Sequence, residues 1–398
     1  MFNKRTYLDC AAGISGNPSS PHTEGRKSRE QLEGARREIA RLVEVQSDDV
    51  IFTSGATEAN ALAILGYVRA RLHLAPCTLP LHVLYLPSAH ASIVENVKLL
   101  AEEGVAIEAL PIKKCRVDTE ALAKMIRPET ILVAMDAVCG ETGVVWNTRE
   151  VAQILHKRNK VQPCNKVEPC FARTLLHVDA SQAPFTEKIS RAHFGADMLT
   201  FDASKIGAVR GIGVLVAHRT IPLEPLYRGG GQERELRPGS ESPELAEAFA
   251  AALRAAACGR EQFRASAERM RTELVKAIMS TIPNVCINES PPAGGQSPHI
   301  LNLSFPGRDT DYLVALLDEA GFAVSTRSAC ETDSEEGSRA VFVLIGDRAR
   351  ARSTLRISWN SSVRPRELSR FAKALAQATA FSAEGGFAFG GIDKNDQG

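Results

Sequence analysis

The chain has 398 residues, 48 Lys and Arg against 47 Asp and Glu, a formal charge of +1 and 44% hydrophobic residues. That is ordinary globular composition with room for roughly two or three domains, and its balanced charge argues against a nucleic-acid or anionic-membrane binder. No apolar run approaches the roughly 20 residues that span a bilayer. The opening MFNKRTYLDC has no signal-like apolar stretch, and an odd 9 cysteines argue against a disulfide framework. The expectation is a soluble, cytoplasmic protein with reduced thiols.

In chain order, Leu32, Ala35, Ile39, Leu42 and Val43 share one face of a helix over 27–45. A β-rich run at 49–53 stops at Ser54-Gly55, and 57–71 reads as helix. A strand at 82–86, a helix at 92–103 and a strand at 105–110 follow. The nearly all-apolar runs at 130–137, 174–178, 198–201 and 213–216 suit a mostly parallel sheet buried by helices on both faces. The stretch 156–173 reads as an inserted loop. An Ala-rich helix over 244–280 reads as a connector to a smaller α+β domain. That domain has strands at 299–305, 322–325 and 354–359 and helices at 311–320 and 365–379. The Gly-bearing tail after Phe381 reads as mobile.

Several segments bear chemistry. Ser54-Gly55-Ala56-Thr57-Glu58, between strand and helix, could cradle a phosphate with backbone N–H groups and the Thr57 hydroxyl. Taken alone, it reads better as an ordinary turn with Thr57 as its cap. Asp179 ends an apolar strand, where open α/β sheets bind ligands and a carboxylate can keep a heterocyclic nitrogen protonated. A helix-capping role fits Asp179 as well. Lys205 follows the strand at 198–201, where a desolvated amine can form a Schiff base, although most lysines are solvated surface groups. The run from Gly229 to Ser240, with three glycines before dense charges and an Arg-Pro-Gly turn, reads as a shaped functional loop. Cys330 lies in a polar stretch and is the candidate nucleophile, whereas Cys139, Cys258 and Cys286 sit in apolar contexts that suggest core residues. Cys164 and Cys170 are spaced too widely for a usual zinc pair, so no metal is expected.

Together, and in this order from Tyr7 to about Ala380, these segments resemble the cysteine desulfurases, pyridoxal phosphate (PLP) enzymes of the class V aminotransferase fold. The resemblance implies an α/β protein of PLP-dependent transferase fold type I, with a large domain on a mostly parallel seven-stranded sheet and a smaller α+β domain. The implied division is an N-terminal segment 1–16 packing with the small domain, a large domain 17–248, a small domain 249–380 carrying the cysteine loop, and a flexible tail 381–398. It implies PLP as cofactor, bound through Ala56, Thr57, Asp179 at the pyridine nitrogen, Gln182 at the phenolate oxygen, and Ser204. His90 would stack on the ring and protonate intermediates, and Lys205 would be the Schiff-base lysine. Ser240 would reach the phosphate of a partner subunit, making the protein a homodimer. Arg356 and Asn17 would hold L-cysteine, and Cys330 would take its sulfur for a sulfur-acceptor protein serving iron–sulfur cluster, thio-cofactor or tRNA synthesis. Neither nucleic acid nor membrane is expected as a direct partner.

The chain departs from the family pattern at Gly140, where an asparagine is usual, at Asp202 and Ser204, where serine and histidine are usual, and at Arg327, where glycine is common. Asp202 near a phosphate would be repulsive unless it turned away or paired with Arg210, and Ser204 would replace one lost donor. A selenocysteine lyase, an aminotransferase, or a catalytically weakened scaffold homologue are the alternative readings.

Overall fold

The computed structural model describes residues 6–13, 16–74, 80–161, 173–207, 209–292, 294–326 and 337–384. The chain divides into two units, Met1–Ala265 with Glu289–Pro298, and Ser266–Asn288 with His299–Gly398. The first unit is built on a seven-stranded sheet. Its strands are β1 (Val50–Thr53), β2 (His82–Tyr85), β3 (Ala106–Ala109), β4 (Thr130–Asp136), β5 (Leu175–Asp179), β6 (Met198–Asp202) and β7 (Gly213–Ala217). The spatial order is β1-β7-β6-β5-β4-β2-β3. The strands from β6 to β3 pair in parallel, and β7 is antiparallel to both its neighbours. Consequently β1, β2, β4, β5 and β6 all end at one edge of the sheet. Every residue of β4, β5 and β7 is buried, as strands covered on both faces require.

Helix α1 (Thr23–Val43) buries Leu32, Ala35, Ile39 and Val43, the face read from its periodicity. It begins four residues before the periodic stretch because the His22 ring caps it, accepting the Gly25 N–H at 3.1 Å. The helix after β1 comprises α2 (Ala56–Ala61), a π turn at Leu62–Gly66 and α3 (Tyr67–Leu74), which the apolar pattern read as one helix. Helix α4 (Ala91–Glu102) follows β2.

The second unit holds a three-stranded sheet of Cys286–Ile287, Ile300–Ser304 and Thr354–Ser358. Helices Thr310–Glu319 and Pro365–Glu384 follow its strands, and the connector helix Pro243–Thr281 runs from one unit into the other. Two expectations are corrected. The run 322–325 is no strand: Ser325 alone bridges to Arg356, and the adjacent Thr326 carbonyl accepts the Thr354 hydroxyl rather than a ladder N–H. The stretch beginning at His156 remains helical to Val161, since the helix Thr148–Val161 continues through it. The rest of that insertion, 162–172, and the tail from residue 385 lie outside the described residues.

His82, His177 and His299 are buried at 0%, 0% and 6% exposure. Burial pushes the His82 and His299 imidazoles down to about 4 and lowers His177 despite nearby Asp179. All three are therefore neutral in the folded chain and take up protons below about 6.5 only on unfolding. Stability is insensitive to these groups above that pH. It should fall as pH drops from 6.5 toward 4, by about 1.4 kcal/mol per pH unit for each histidine. Urea midpoints at pH 7.5, 6 and 5 check this, and a flat profile would contradict neutral burial.

Candidate active site

Four of the predicted segments, those of Ser54–Glu58, His90, Asp179 and Lys205, follow strands that end at the shared carboxyl edge of the first sheet. Asp179 is the last residue of β5 and is 6% exposed. Its Oδ1 accepts the Ser181 N–H at 2.9 Å, so it caps a turn rather than a helix. Its Oδ2 accepts from Asn60 Nδ2 at 2.7 Å. The same amide donates to Ser92 Oγ at 2.8 Å, and Ser92 Oγ lies 2.8 Å from His90 Nδ1. His90 is the N-cap of α4, its Nδ1 also accepting the Ser92 N–H at 3.2 Å. With Nδ1 an acceptor, the neutral ring carries its proton on Nε2, which makes no hydrogen bond among the described residues. A polar chain thus joins Asp179 to His90 through Asn60 and Ser92. Asn60 is the participant that sequence reasoning missed; a lone amide between alanines on an apolar helix (Ala59-Asn60-Ala61) is the signal that marks it.

Lys205 lies in the 3-10 turn Ala203–Ile206 directly after β6. It is exposed, and its amine makes no hydrogen bond or ion pair among the described residues. Gln182 stands against Gly140: a Cβ there would lie 3.0 Å from Gln182 Nε2. A side chain at this position would press on the Gln182 amide, which would have to shift slightly to admit the usual asparagine. Cys139 is buried, and burial with nearby Asp136 pushes its thiol up to about 12, which makes it inert. Cys258 is exposed and Cys286 half-buried, so neither is a core residue. Cys258 lies off the stripe of its helix that buries Leu253 and Ala256.

The turn between β1 and α2 rests on β7: a Cβ at Gly213 would fall 2.7 Å from Gly55 backbone. Thr57 is exposed in the first turn of α2, with Gly55 rather than Thr57 in the capping position. Glu58 accepts from Ser54 N, from the Tyr227 hydroxyl at 2.8 Å and from Arg237 Nε at 3.3 Å. Burial raises its pKa, but these donors outweigh burial and hold the carboxyl below the usual range. Asp202, the last residue of β6, turns into this assembly. Its Oδ2 accepts the Ala56 N–H at 2.9 Å, and its Oδ1 accepts from Ser204 N at 2.8 Å and Ser204 Oγ at 2.7 Å. It makes no ion pair with Arg210.

The loop Gly229–Ser240 is anchored by Glu233, whose carboxylate is buried against Arg36 and accepts Phe52 N at 2.7 Å. At the loop's end Ser240 Oγ accepts from Asn17 Nδ2 at 3.3 Å, bringing those two predicted site residues together. Arg356 lies on the strand Thr354–Ser358 of the second unit, opposite Asn302. Cys330 and Arg327 lie outside the described residues, as do Cys164 and Cys170. Among the described residues no cluster of His, Cys, Asp and Glu could hold a metal ion.

The pyridoxal ring implied by the resemblance fits these residues. Asp179 keeps acceptor capacity on both oxygens, His90 offers Nε2, and the Lys205 amine is uncommitted. The phosphate end fits differently, because the Ala56 N–H already serves the chain's own carboxylate.

Comparison with known proteins agrees with this architecture. The family model of aminotransferase class-V matches residues 6–371. "Cysteine desulfurase IscS 1" of Archaeoglobus fulgidus is 33% identical, covering 80% of this chain and 77% of its own. The mitosomal cysteine desulfurase of Trachipleistophora hominis is 32% identical, over 91% of this chain and 79% of its own. Among solved structures, a NifS-like protein superposes with a TM-score of 0.80 at 27% identity, covering 92% of each chain. DndA from Streptomyces lividans has a TM-score of 0.68 at 30% identity, covering 88% of this chain and 94% of its own. With the family match spanning nearly the whole length and these relatives aligned over most of theirs, the chain belongs to the class-V aminotransferase family.

Proposed function

We propose that the chain is a PLP-dependent cysteine desulfurase, converting L-cysteine to L-alanine and passing sulfur through Cys330 to an acceptor protein. The observation that carries the reading is the carboxyl-edge assembly: a buried Asp179 tied through Asn60 and Ser92 to His90, with an uncommitted Lys205 amine on the neighbouring strand's turn. Bound PLP supplies an electron sink for charge developing at the substrate Cα. Asp179 keeps the ring nitrogen protonated, and the Asn60 amide fixes the carboxylate's orientation. His90 would stack on the ring and supply the proton on its Nε2, and Gln182 would serve the phenolate oxygen. Lys205 anchors the cofactor, then takes the Cα proton. Arg356 binds the substrate carboxylate through paired N–H groups, a geometry lysine would not reproduce. Asn17 assists there. The Cys330 thiolate attacks the substrate sulfur; the S–S bond forms as the Cβ–S bond breaks, a proton adds at Cβ and the proton held by Lys205 returns to Cα, giving alanine and an enzyme persulfide. Ala56, Thr57 and Ser204, with Ser240 of a partner subunit, are assigned to the phosphate, which makes a homodimer the working form. The persulfide requires a reducing compartment, such as the cytoplasm, to keep Cys330 unpaired.

Incubation of the PLP-loaded protein with L-cysteine and dithiothreitol should release alanine and sulfide in equal amounts. Cys330→Ala should abolish both; full activity in that variant under reductant would remove the persulfide step.

A further inference from the structure

The carboxylate of Asp202 behaves as an anion already bound in the turn assigned to the phosphate. Its Oδ2 holds the Ala56 N–H, and the Ser204 N–H and hydroxyl both converge on Oδ1. Its fit is close: a Cβ on Gly55 would lie only 3.3 Å from Oδ2. Strand pairing sets Asp202 opposite Gly213, whose missing side chain lets the Gly55 turn come down onto it. No lysine or arginine among the described residues forms an ion pair with Asp202, so its charge is met by neutral donors alone. These are the donor types a phosphate oxygen uses, N–H groups and a hydroxyl beside a positive turn. A phosphate entering here must displace the carboxylate from Ala56 and meet its negative charge at short range.

We propose that Asp202 is an internal competitor for the cofactor phosphate, so that this chain binds PLP weakly and reversibly and its loaded fraction follows cofactor supply. Ser204 is drawn into the same contest, since its hydroxyl reaches a phosphate only when Asp202 releases it. The inference rests on the assignment of PLP to this edge and adds that the phosphate end, unlike the ring end, opposes binding.

The test is equilibrium dialysis of the full-length apoprotein against PLP and, separately, against pyridoxal, which has the ring without the phosphate. Asp202→Asn keeps the shape and removes the charge; Asp202→Ser removes both and supplies a hydroxyl. Each is made alongside the unsubstituted protein in a Lys205→Ala background, so that only non-covalent binding is read, and far-ultraviolet circular dichroism checks folding. Both substitutions should lower the Kd for PLP by roughly tenfold or more, which corresponds to about 1.4 kcal/mol, and leave that for pyridoxal unchanged. Inorganic phosphate should also compete with PLP more strongly in the variants. Equal or weaker PLP binding in both variants, or an equal gain for pyridoxal, overturns the proposal. If the native protein, with Lys205, binds PLP and turns over cysteine while the Asp202 variants in the Lys205→Ala background bind no tighter than their parent, the proposal alone falls. Failure of every form to bind PLP takes the proposed function with it.

Discussion

Replacing Glu233 by alanine should destabilise the first unit by about 1–3 kcal/mol, because it leaves Arg36 with Glu33 as its remaining carboxylate and the Phe52 N–H without its acceptor. Arg36 and Glu233 are 9% and 6% exposed. Their pairing is bidentate, with Arg36 Nη1 and Nη2 reaching the two carboxylate oxygens at 2.7 and 2.6 Å. Burial opposes the guanidinium charge, and the Glu233 and Glu33 carboxylates together more than offset it, raising the arginine's already high pKa. Nη1 also donates to the Val50 carbonyl at 2.8 Å, and the guanidinium lies 4.8 Å over the Phe52 ring. The pair therefore rivets the Gly229–Ser240 loop to α1 and β1. It also holds strain in place: Glu233, Arg234 and Glu235 have φ of 48°, 62° and 64°, conformations that disfavour side chains bearing a Cβ. Urea denaturation measures the loss. A value below about 1 kcal/mol would show that water reaches Arg36 and that the pair is not a structural anchor. Glu233→Gln, which keeps the shape and one acceptor oxygen, should lose less than alanine does.

Lys205→Ala should lower cysteine turnover by at least about 10²–10⁴-fold, the range for removing a positioned acid–base group, with further loss from the missing covalent anchor. The same change should scarcely affect stability. Lys205 is exposed and without a hydrogen bond or ion pair among the described residues, and such surface substitutions stay within about 0.5 kcal/mol. Folding and chemistry are thus separable at this position. The loaded protein should be yellow, and borohydride should fix the cofactor covalently to the chain only when Lys205 is present. A variant retaining more than about a tenth of the turnover would show that Lys205 is not the group that moves the Cα proton.

The centre of the sheet was legible because β4, β5, β6 and β7 are nearly all-apolar runs, as strands covered on both faces are. β4 and β5 appear within one residue of the runs read for them. The placing of Asp179 at a strand end and of Lys205 in the turn after β6 was likewise legible from the apolar runs before them. The 322–325 segment was misread because a short apolar stretch carries no information about whether a partner strand will accept its ladder. Cys258 was misread for a related reason: alanines on all sides hide which face of a long helix is buried.

The amino-acid sequence by itself therefore determined the α/β class, the order of the chemical segments and, through the similarity of that order to the cysteine desulfurases, a reaction to test. The cysteines follow the same division. Nine thiols without a disulfide pattern point to sulfur chemistry at Cys330 only once the motifs are in register. Tertiary structure decided what each polar side chain does with its partners. Arg36 meets Glu233 across 197 residues, Asn60 meets Asp179 across 119, and Asp202 meets Ala56 across 146. Periodicity and spacing report on neighbours along the chain. A buried hydrogen bond depends on which strand ends lie side by side, and folding alone settles that. Asp202 shows the difference most clearly: in the sequence it is a charge that a phosphate site should reject, whereas in the fold it satisfies the very N–H group that the phosphate would need.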